Sequence, residues 1–280
     1  MDIYYIDGKF VKEDEAVISV KDMIVLRGYG AFDFLRTYNK RPFYLKEHCQ
    51  RLHNSCAQIG LHCPWSIEEI SDIVMQTLEH NPQHDEYNIR LVVTGGISPD
   101  SITPQDNSKL MVMATGLHPL PAEWYTDGAK IITSDIERFI PGAKSTNYLA
   151  AVIAMQAARE AGAIESIYVD RNQRVLEGTT TNLFMFMGDK LVTSGDSILP
   201  GVSRLVLLDI LKQHFDLEIR DVFKKELPSV EEAFLSASNK EIVPIVTIDD
   251  LTVGNGKVGP RTQTVMEIFR EFTTRYGQGA

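Results

Sequence analysis

Lysine is the side chain that condenses with a carbonyl to form an imine, and Lys144 stands where such a role can be read. A strand-like run ends near Ser134, a connection passes through Pro141-Gly142-Ala143, and Ser145-Thr146-Asn147-Tyr148 then opens a long, mostly apolar helical pattern. The reading places a cation at a helix start, where the peptide dipoles disfavour it. Alone, that describes an ordinary surface lysine. Thirty-three residues later comes Leu176-Glu177-Gly178-Thr179-Thr180-Thr181-Asn182-Leu183-Phe184, an acidic residue, a run of hydroxyls and an Asn leading into an apolar strand. A carboxylate such as Glu177 can hold the nitrogen of a heteroaromatic ring protonated, which makes the ring an electron sink. Next, Leu199-Pro200-Gly201-Val202-Ser203-Arg204 sets a tight turn before a helix, whose first N–H groups suit a phosphate. Each piece singly is a strand-turn-helix joint. Together they supply an amine, a partner for a ring nitrogen and a phosphate cradle.

The elements that must position these groups follow from periodicity. Ile3–Ile6 and Phe10–Val11 flank Asp7-Gly8, and Ala31–Tyr38 turns at Asn39-Lys40 into Pro42–Leu45, two hairpins. Lys46 to Ile59 changes to helical spacing, with Leu52, Cys56 and Ile59 on one side and Gly60 as its stop. Ser66 with Glu69 three residues on forms a capping box for a helix to Glu79. Ile89–Thr94 and Leu110–Thr115 read as buried strands. The proline-marked segment 118–124 reads as a linker, dividing an N-terminal α/β domain, 1–117, from a C-terminal one, 125–280. In the second, helices are expected at about Asn147–Ala161, Val202–His214 and Thr262–Tyr276, with strands at Lys130–Thr133, Ser166–Val169, Asn182–Phe186 and Phe234–Ser236. The expectation is two mixed α/β domains with a crevice between them, a usual place for a small ligand.

Composition narrows the function classes. With 28 Lys and Arg against 38 Asp and Glu, the formal charge is −10, which argues against nucleic-acid binding. The longest uncharged stretch, Ser145 to Ala158, is too short for a membrane span, and no signal-peptide pattern opens the chain. Cys49, Cys56 and Cys63, an odd number, read as reduced thiols, Cys49 and Cys56 on one helix face, in a cytoplasmic protein. His48 and His53, five apart, fall on different helix faces, so no metal site is expected. Nucleotide phosphate loops, the hydrolase elbow and the zinc-protease motif are absent, and Gly28-Tyr29-Gly30 fails the dinucleotide fingerprint at its third glycine.

K-S-T-N-Y followed by a helix, E-G-T-T-T-N, L-P-G-V-S-R and the upstream E-H-x-x-R-L resemble the class IV, or fold type IV, aminotransferases over nearly the whole chain. The resemblance implies pyridoxal 5′-phosphate as cofactor, held in the crevice between two α/β domains, and a homodimer whose partner completes each site. It implies Lys144 as the Schiff-base lysine and proton carrier, Glu177 at the pyridine nitrogen, and Tyr148, one helical turn after Lys144, at the phenolic oxygen. Arg51 would bind the phosphate with the backbone of Val202 and Ser203 and the hydroxyl of Ser238. Asn182 and Thr181 would shape the cofactor wall. Substrates would be an amino acid and a 2-oxo acid in a ping-pong cycle.

Subfamily features divide. The three usual carboxylate ligands of D-amino acid transaminases fall at Phe32, Asp100 and Ile102, none of which can serve. Branched-chain enzymes show F-E-G-I-R where this chain has Phe32-Asp33-Phe34-Leu35-Arg36. The compact length and K-S-T-N-Y-L-A-A-V resemble the D-amino acid side, whereas Asn88-Ile89-Arg90 resembles the branched-chain side. The reading adopted is a transaminase moving an amino group from a D-amino acid to 2-oxoglutarate through a non-standard carboxylate pocket. Arg27 and Arg90 are assigned to the carboxylate, with Arg36 in reserve. The alternatives are a branched-chain L-amino acid transaminase, an aminodeoxychorismate lyase, and a catalytically dead ligand-binding scaffold.

Overall fold

The computed structural model describes residues 1–278 and places two separate β-sheets in two compact units. The first unit holds Met1–His118, the segment Gly142–Tyr148 and the C-terminal end from Tyr276; the second holds Pro119–Pro141 and Leu149–Arg275. The first division between the units falls after His118. The chain then returns, however: Lys144 and Tyr148, assigned from sequence to the C-terminal domain, belong to the first unit.

In the first unit, β1 (Ile3–Ile6) and β2 (Lys9–Lys12) pair around Asp7 and Gly8, both at positive φ, as a two-residue turn of this hand requires. A short helix α1 (Met23–Arg27), not expected from sequence, ends at the left-handed Gly28. Strands β3 (Gly30–Tyr38) and β4 (Arg41–Pro42) turn through Asn39 and Lys40, again both at positive φ. Helices α2 (Leu45–Gln58) and α3 (Ile67–Glu79) follow, the latter with its Ser66–Glu69 capping box formed. Strands β5 (Tyr87–Thr94) and β6 (Lys109–Gly116) complete a six-stranded sheet in the order β2-β1-β6-β5-β3-β4.

Period-two alternation gives this sheet two different faces. Ala31, Leu35, Ile89, Leu91, Val93, Leu110 and Val112 turn inward and pack on Cys49, Leu52 and Cys56 of α2 and Ile70 and Val74 of α3. The opposite face carries cross-strand rows of another character: Phe32 beside Val92 and Met111, Phe34 beside Arg90 and Met113, and Arg36 beside Asn88 and Thr115.

The first helix of the second unit, α4 (Glu123–Thr126), overlaps the last two residues of the expected linker, 118–124. The unit continues through β7 (Ala129–Asp135), α5 (Leu149–Glu160), β8 (Glu165–Val169), β9 (Arg174–Gly178), β10 (Asn182–Met187), β11 (Lys190–Thr193) and α6 (Val202–Leu211). Then come β12 (Asp216–Ile219), β13 (Val222–Phe223), β14 (Glu232–Ala237), β15 (Glu241–Ile248), β16 (Leu251–Thr252) and α7 (Pro260–Arg275). The sheet runs β12-β11-β10-β14-β15-β7-β8-β9-β13, with β16 beside β15, and mixes parallel with antiparallel pairs. Its core includes Ile131, Ile167, Leu183, Leu235, Val243 and Ile245, while Phe184 and Phe234 stack face to face at 4.9 Å on neighbouring strands. No helix among the described residues is long and apolar enough to cross a membrane.

Candidate active site

The segment around Lys144 is not a helix start. Helix α5 begins at Leu149, and residues 144–146 run extended beside β3: Phe32 N–H donates to Lys144 O at 2.9 Å, and Thr146 N–H donates to Gly30 O at 2.9 Å. Lys144 N–H donates to Ser55 Oγ of α2 at 3.0 Å. The lysine backbone is thus held from both sides, and the dipole argument from sequence does not apply to it. Tyr148 precedes α5 rather than lying one helical turn after Lys144. Sequence reasoning saw apolar periodicity beginning near 147 and had no signal for strand pairing across more than a hundred residues.

Phe32 is where the side chains of this unit converge. Lys144 Nζ lies 4.6 Å from the Phe32 ring centroid, Arg90 Cζ lies 5.6 Å from it, and Tyr148 meets it edge-on at 5.3 Å. Arg90 also covers Phe34 at 5.2 Å, and Arg36 lies over Tyr38 at 4.3 Å on the same face of the sheet. An amine and a guanidinium thus share one aromatic floor. Cation–π attraction holds such groups in place without neutralising their charge. Arg27 sits elsewhere, exposed at the end of α1, its Nη1 donating to Leu26 O at 2.8 Å.

Arg51 is buried on α2, and its Nε and Nη2 donate to the two oxygens of Asp33 at 2.8 and 2.7 Å. His48 Nδ1 meets Asp33 Oδ1 at 2.6 Å. Burial alone would raise Asp33; the Arg51 guanidinium and the His48 ring overcome it and hold the carboxyl far below its usual range. For His48, burial wins over the attraction of Asp33, and with Arg51 and Lys144 nearby the ring stays neutral below its ordinary 6.5. Asp33 therefore orients Arg51, a contact the sequence reading did not single out. Its place between Phe32 and Phe34 in an apolar strand was the available signal.

Breaking this buried pair by Asp33→Asn is expected to cost about 3–5 kcal/mol, since it strands Arg51, as read by urea unfolding. The pH dependence has a definite sign. Because His48 is depressed in the fold, the unfolded chain binds the extra proton, and stability falls as pH drops through 6.5. The Asp33 contribution persists until pH falls below about 4. His48→Asn should flatten the first loss and leave the second.

The second unit brings a different set together. Glu177, on β9, is buried: Oε1 accepts from Arg138 Nη1 at 2.9 Å, and Oε2 accepts from Leu199 N–H at 3.0 Å and Asn182 Nδ2 at 3.4 Å. Asn182 Nδ2 also donates to Leu199 O at 3.1 Å. These bonds fasten the Leu199-Pro200-Gly201 turn against the carboxylate. Gly201 must be glycine there, because a Cβ would collide with Asn182 Oδ1. It is the N-cap of α6 with no side-chain cap, so the first amides of the helix, Val202 and Ser203, keep the anion-binding geometry of a helix N-terminus. Thr179, Thr180 and Thr181 close on another carboxylate, buried Glu165: both Thr179 and Thr180 donate through N–H and hydroxyl, and Thr181 through its hydroxyl at 3.4 Å. The hydroxyl run is therefore an anchor for its own loop, and Thr181 faces Glu165. Ser238 lies half-buried in the turn from β14 to β15, two residues before Lys240, which donates to Thr180 Oγ1 at 2.8 Å. Sequence reasoning missed Arg138, Glu165 and this role of Lys240. All three are ordinary surface residue types in sequence, identified only by what they touch.

The family model for amino-transferase class IV matches residues 30–248. The chain belongs to the class IV aminotransferases. It is 34% identical, over 98% of its length and 97% of the relative, to a putative branched-chain-amino-acid aminotransferase of Methanocaldococcus jannaschii. It is 29% identical to a D-alanine aminotransferase of Bacillus licheniformis, covering 92% of this chain and 93% of that one. Among solved structures, the T.th. branched-chain amino acid aminotransferase with pyridoxamine 5′-phosphate superposes with a TM-score of 0.89, at 26% identity, over 98% of this chain and 94% of that one. With the family comes pyridoxal phosphate as cofactor. The residues of each unit are of kinds that suit it: in the first, an amine, Lys144, for its carbonyl and a buried arginine, Arg51; in the second, a buried carboxylate, Glu177, for a pyridinium and a glycine-capped helix end for an anion.

Proposed function

We propose that this class IV aminotransferase transfers the amino group of an apolar, branched-chain L-amino acid to 2-oxoglutarate. The observation that carries the reading is the Phe32 floor. Phe32, Phe34, Val92, Met111 and Met113 present an apolar wall to a hydrocarbon side chain, and Arg90 lies on the same wall as Lys144. A dicarboxylate acceptor and an apolar donor must use the same site in turn, and an arginine stacked on aromatics serves both. It can bind a carboxylate through its fork or lie flat against hydrocarbon.

The sequence leaned toward a D-amino acid donor, and that reading is kept second, favoured by the 29% identity with a D-alanine aminotransferase. Asp100 weighs against it. This residue stands where the D-amino acid enzymes are expected to carry a cation; here hydrogen bonds from Thr103, Ile102 and Ser98 hold its carboxyl well below the usual range. A fixed negative charge there repels a substrate carboxylate.

In the proposed division of labour, Lys144 forms the bond to the cofactor and moves the proton at the substrate's Cα. Glu177 keeps the ring nitrogen protonated, and Tyr148 donates toward the phenolic oxygen. Arg51, Val202, Ser203 and Ser238 hold the phosphate, and Asn182 braces the turn that bears it. When bound, the cofactor supplies the conjugated ring that delocalises the electron pair left at Cα. A homodimer with Arg27 contributed to the neighbouring site belongs to the same proposal.

The test is a panel of D- and L-amino acids read by the absorbance of the bound cofactor in single half-reactions. L-leucine, L-isoleucine and L-valine are expected to bleach the band fastest; a D-alanine response exceeding theirs would reverse the order of the two readings. Arg90→Ile and, separately, Arg27→Ala should raise KM for amino and oxo acid together by about 10–100-fold, the value of one charged hydrogen-bonding partner. Cofactor affinity should change much less, and 2-oxoglutarate should suffer at least as much as a monocarboxylic partner. Unchanged KM values in both variants, with folding intact, would move the assignment to Arg36.

A further inference from the structure

Glu177 can strengthen the electron sink only if the proton it shares with the cofactor ring stays on the ring. Whether it does depends on how basic the carboxylate is. A buried carboxylate left to itself becomes more basic, because burial disfavours its charge, and the proton is then drawn to the oxygen. Glu177 is buried to 6% side-chain exposure, so this danger applies to it.

The structure supplies a countermeasure on a neighbouring loop. Arg138 lies between β7 and the Pro141-Gly142 turn that leads to Lys144. Its Nη1 donates both to Pro141 O at 2.8 Å and to Glu177 Oε1 at 2.9 Å. The bond to the loop's own carbonyl fixes the guanidinium, and the ion pair with Glu177 is largely shielded, Arg138 being 22% exposed. A second cation, Arg204, also senses Glu177, but its bonds run elsewhere: Nη2 donates to Ser194 O at 2.8 Å and Nε to Thr193 Oγ1 at 3.4 Å. Leu199 N–H and Asn182 hold Oε2 as neutral donors. Arg138 thus brings a full positive charge into direct hydrogen-bonded contact with the carboxylate.

We propose that Arg138 is a positioning residue for the transamination: by pairing with Glu177 it keeps that carboxylate weakly basic, so that the shared proton resides on the cofactor's ring nitrogen. The inference rests on the proposed role of Glu177. It also accounts for the loop's construction, in which a single Nη1 ties the approach to Lys144 to the partner of the ring.

The experiment is nitrogen NMR of the holoenzyme loaded with ring-15N pyridoxal phosphate, for wild type, Arg138→Met, Arg138→Lys and Glu177→Gln, alongside thermal melts and steady-state kinetics. The wild-type resonance is expected in the pyridinium range. Arg138→Met should move it toward neutral pyridine and lower kcat by about 10–100-fold, the worth of a charge-assisted hydrogen bond, with the amino-donor KM within about threefold. Arg138→Lys should restore most of both. A merely structural Arg138 would lower the melting temperature in Arg138→Met and leave the resonance where it was. That result, with Glu177→Gln displaced, overturns the proposal alone. If Glu177→Gln also leaves the resonance unmoved, the Glu177 assignment falls and takes this inference with it.

Discussion

Replacing Lys144 with alanine is expected to lower the overall transamination rate by about 10⁴-fold or more, because in the proposed division of labour one side chain both bonds the cofactor and carries the proton at Cα. Losses of that size accompany the removal of a nucleophile or a general base, and here both go at once. The variant should fold. Lys144 is fastened through its backbone, to Ser55 Oγ and to Phe32 N–H, and alanine keeps both bonds. It should still bind pyridoxal phosphate noncovalently, through groups that do not include the lysine side chain. Borohydride treatment of the wild-type holoenzyme, followed by peptide mapping, should place the reduced adduct on Lys144. An adduct on Lys240, or a Lys144→Ala enzyme within tenfold of wild type, would refute the assignment.

Glu177→Gln is expected to fold, bind cofactor and lose about 10²–10⁴-fold in kcat, the range for a group acting on a proton in the transition state. The fall should appear in the half-reaction with the amino acid and in that with the oxo acid, because both need the electron sink. Glutamine can still accept from Leu199 N–H, so the turn at Gly201 should keep its place. It cannot pair as an ion with Arg138, however, and leaving that guanidinium partly buried should cost about 1–3 kcal/mol of stability. Rate loss confined to one half-reaction would show that Glu177 acts on a substrate rather than on the ring.

The motifs assigned to the cofactor stand out in the sequence because most of them are local devices. E-G-T-T-T-N at a turn between strands and a glycine capping α6 both write their geometry into consecutive residues. The hairpins at Asp7-Gly8 and Asn39-Lys40 and the capping box at Ser66 are of the same kind, since positive φ and side-chain capping select residue types directly. What only the tertiary structure decided are the relations between distant residues. Residues 144–146 belong beside β3 because strand pairing satisfies their backbone, and no local pattern announces a partner that far away. Asp33 acquires its purpose from Arg51 and His48 on α2, Arg138 from Glu177, and Glu165 from the threonines it receives. A buried charge must find its counter-charge or donors somewhere in the fold, and the sequence states that need without stating where it is met.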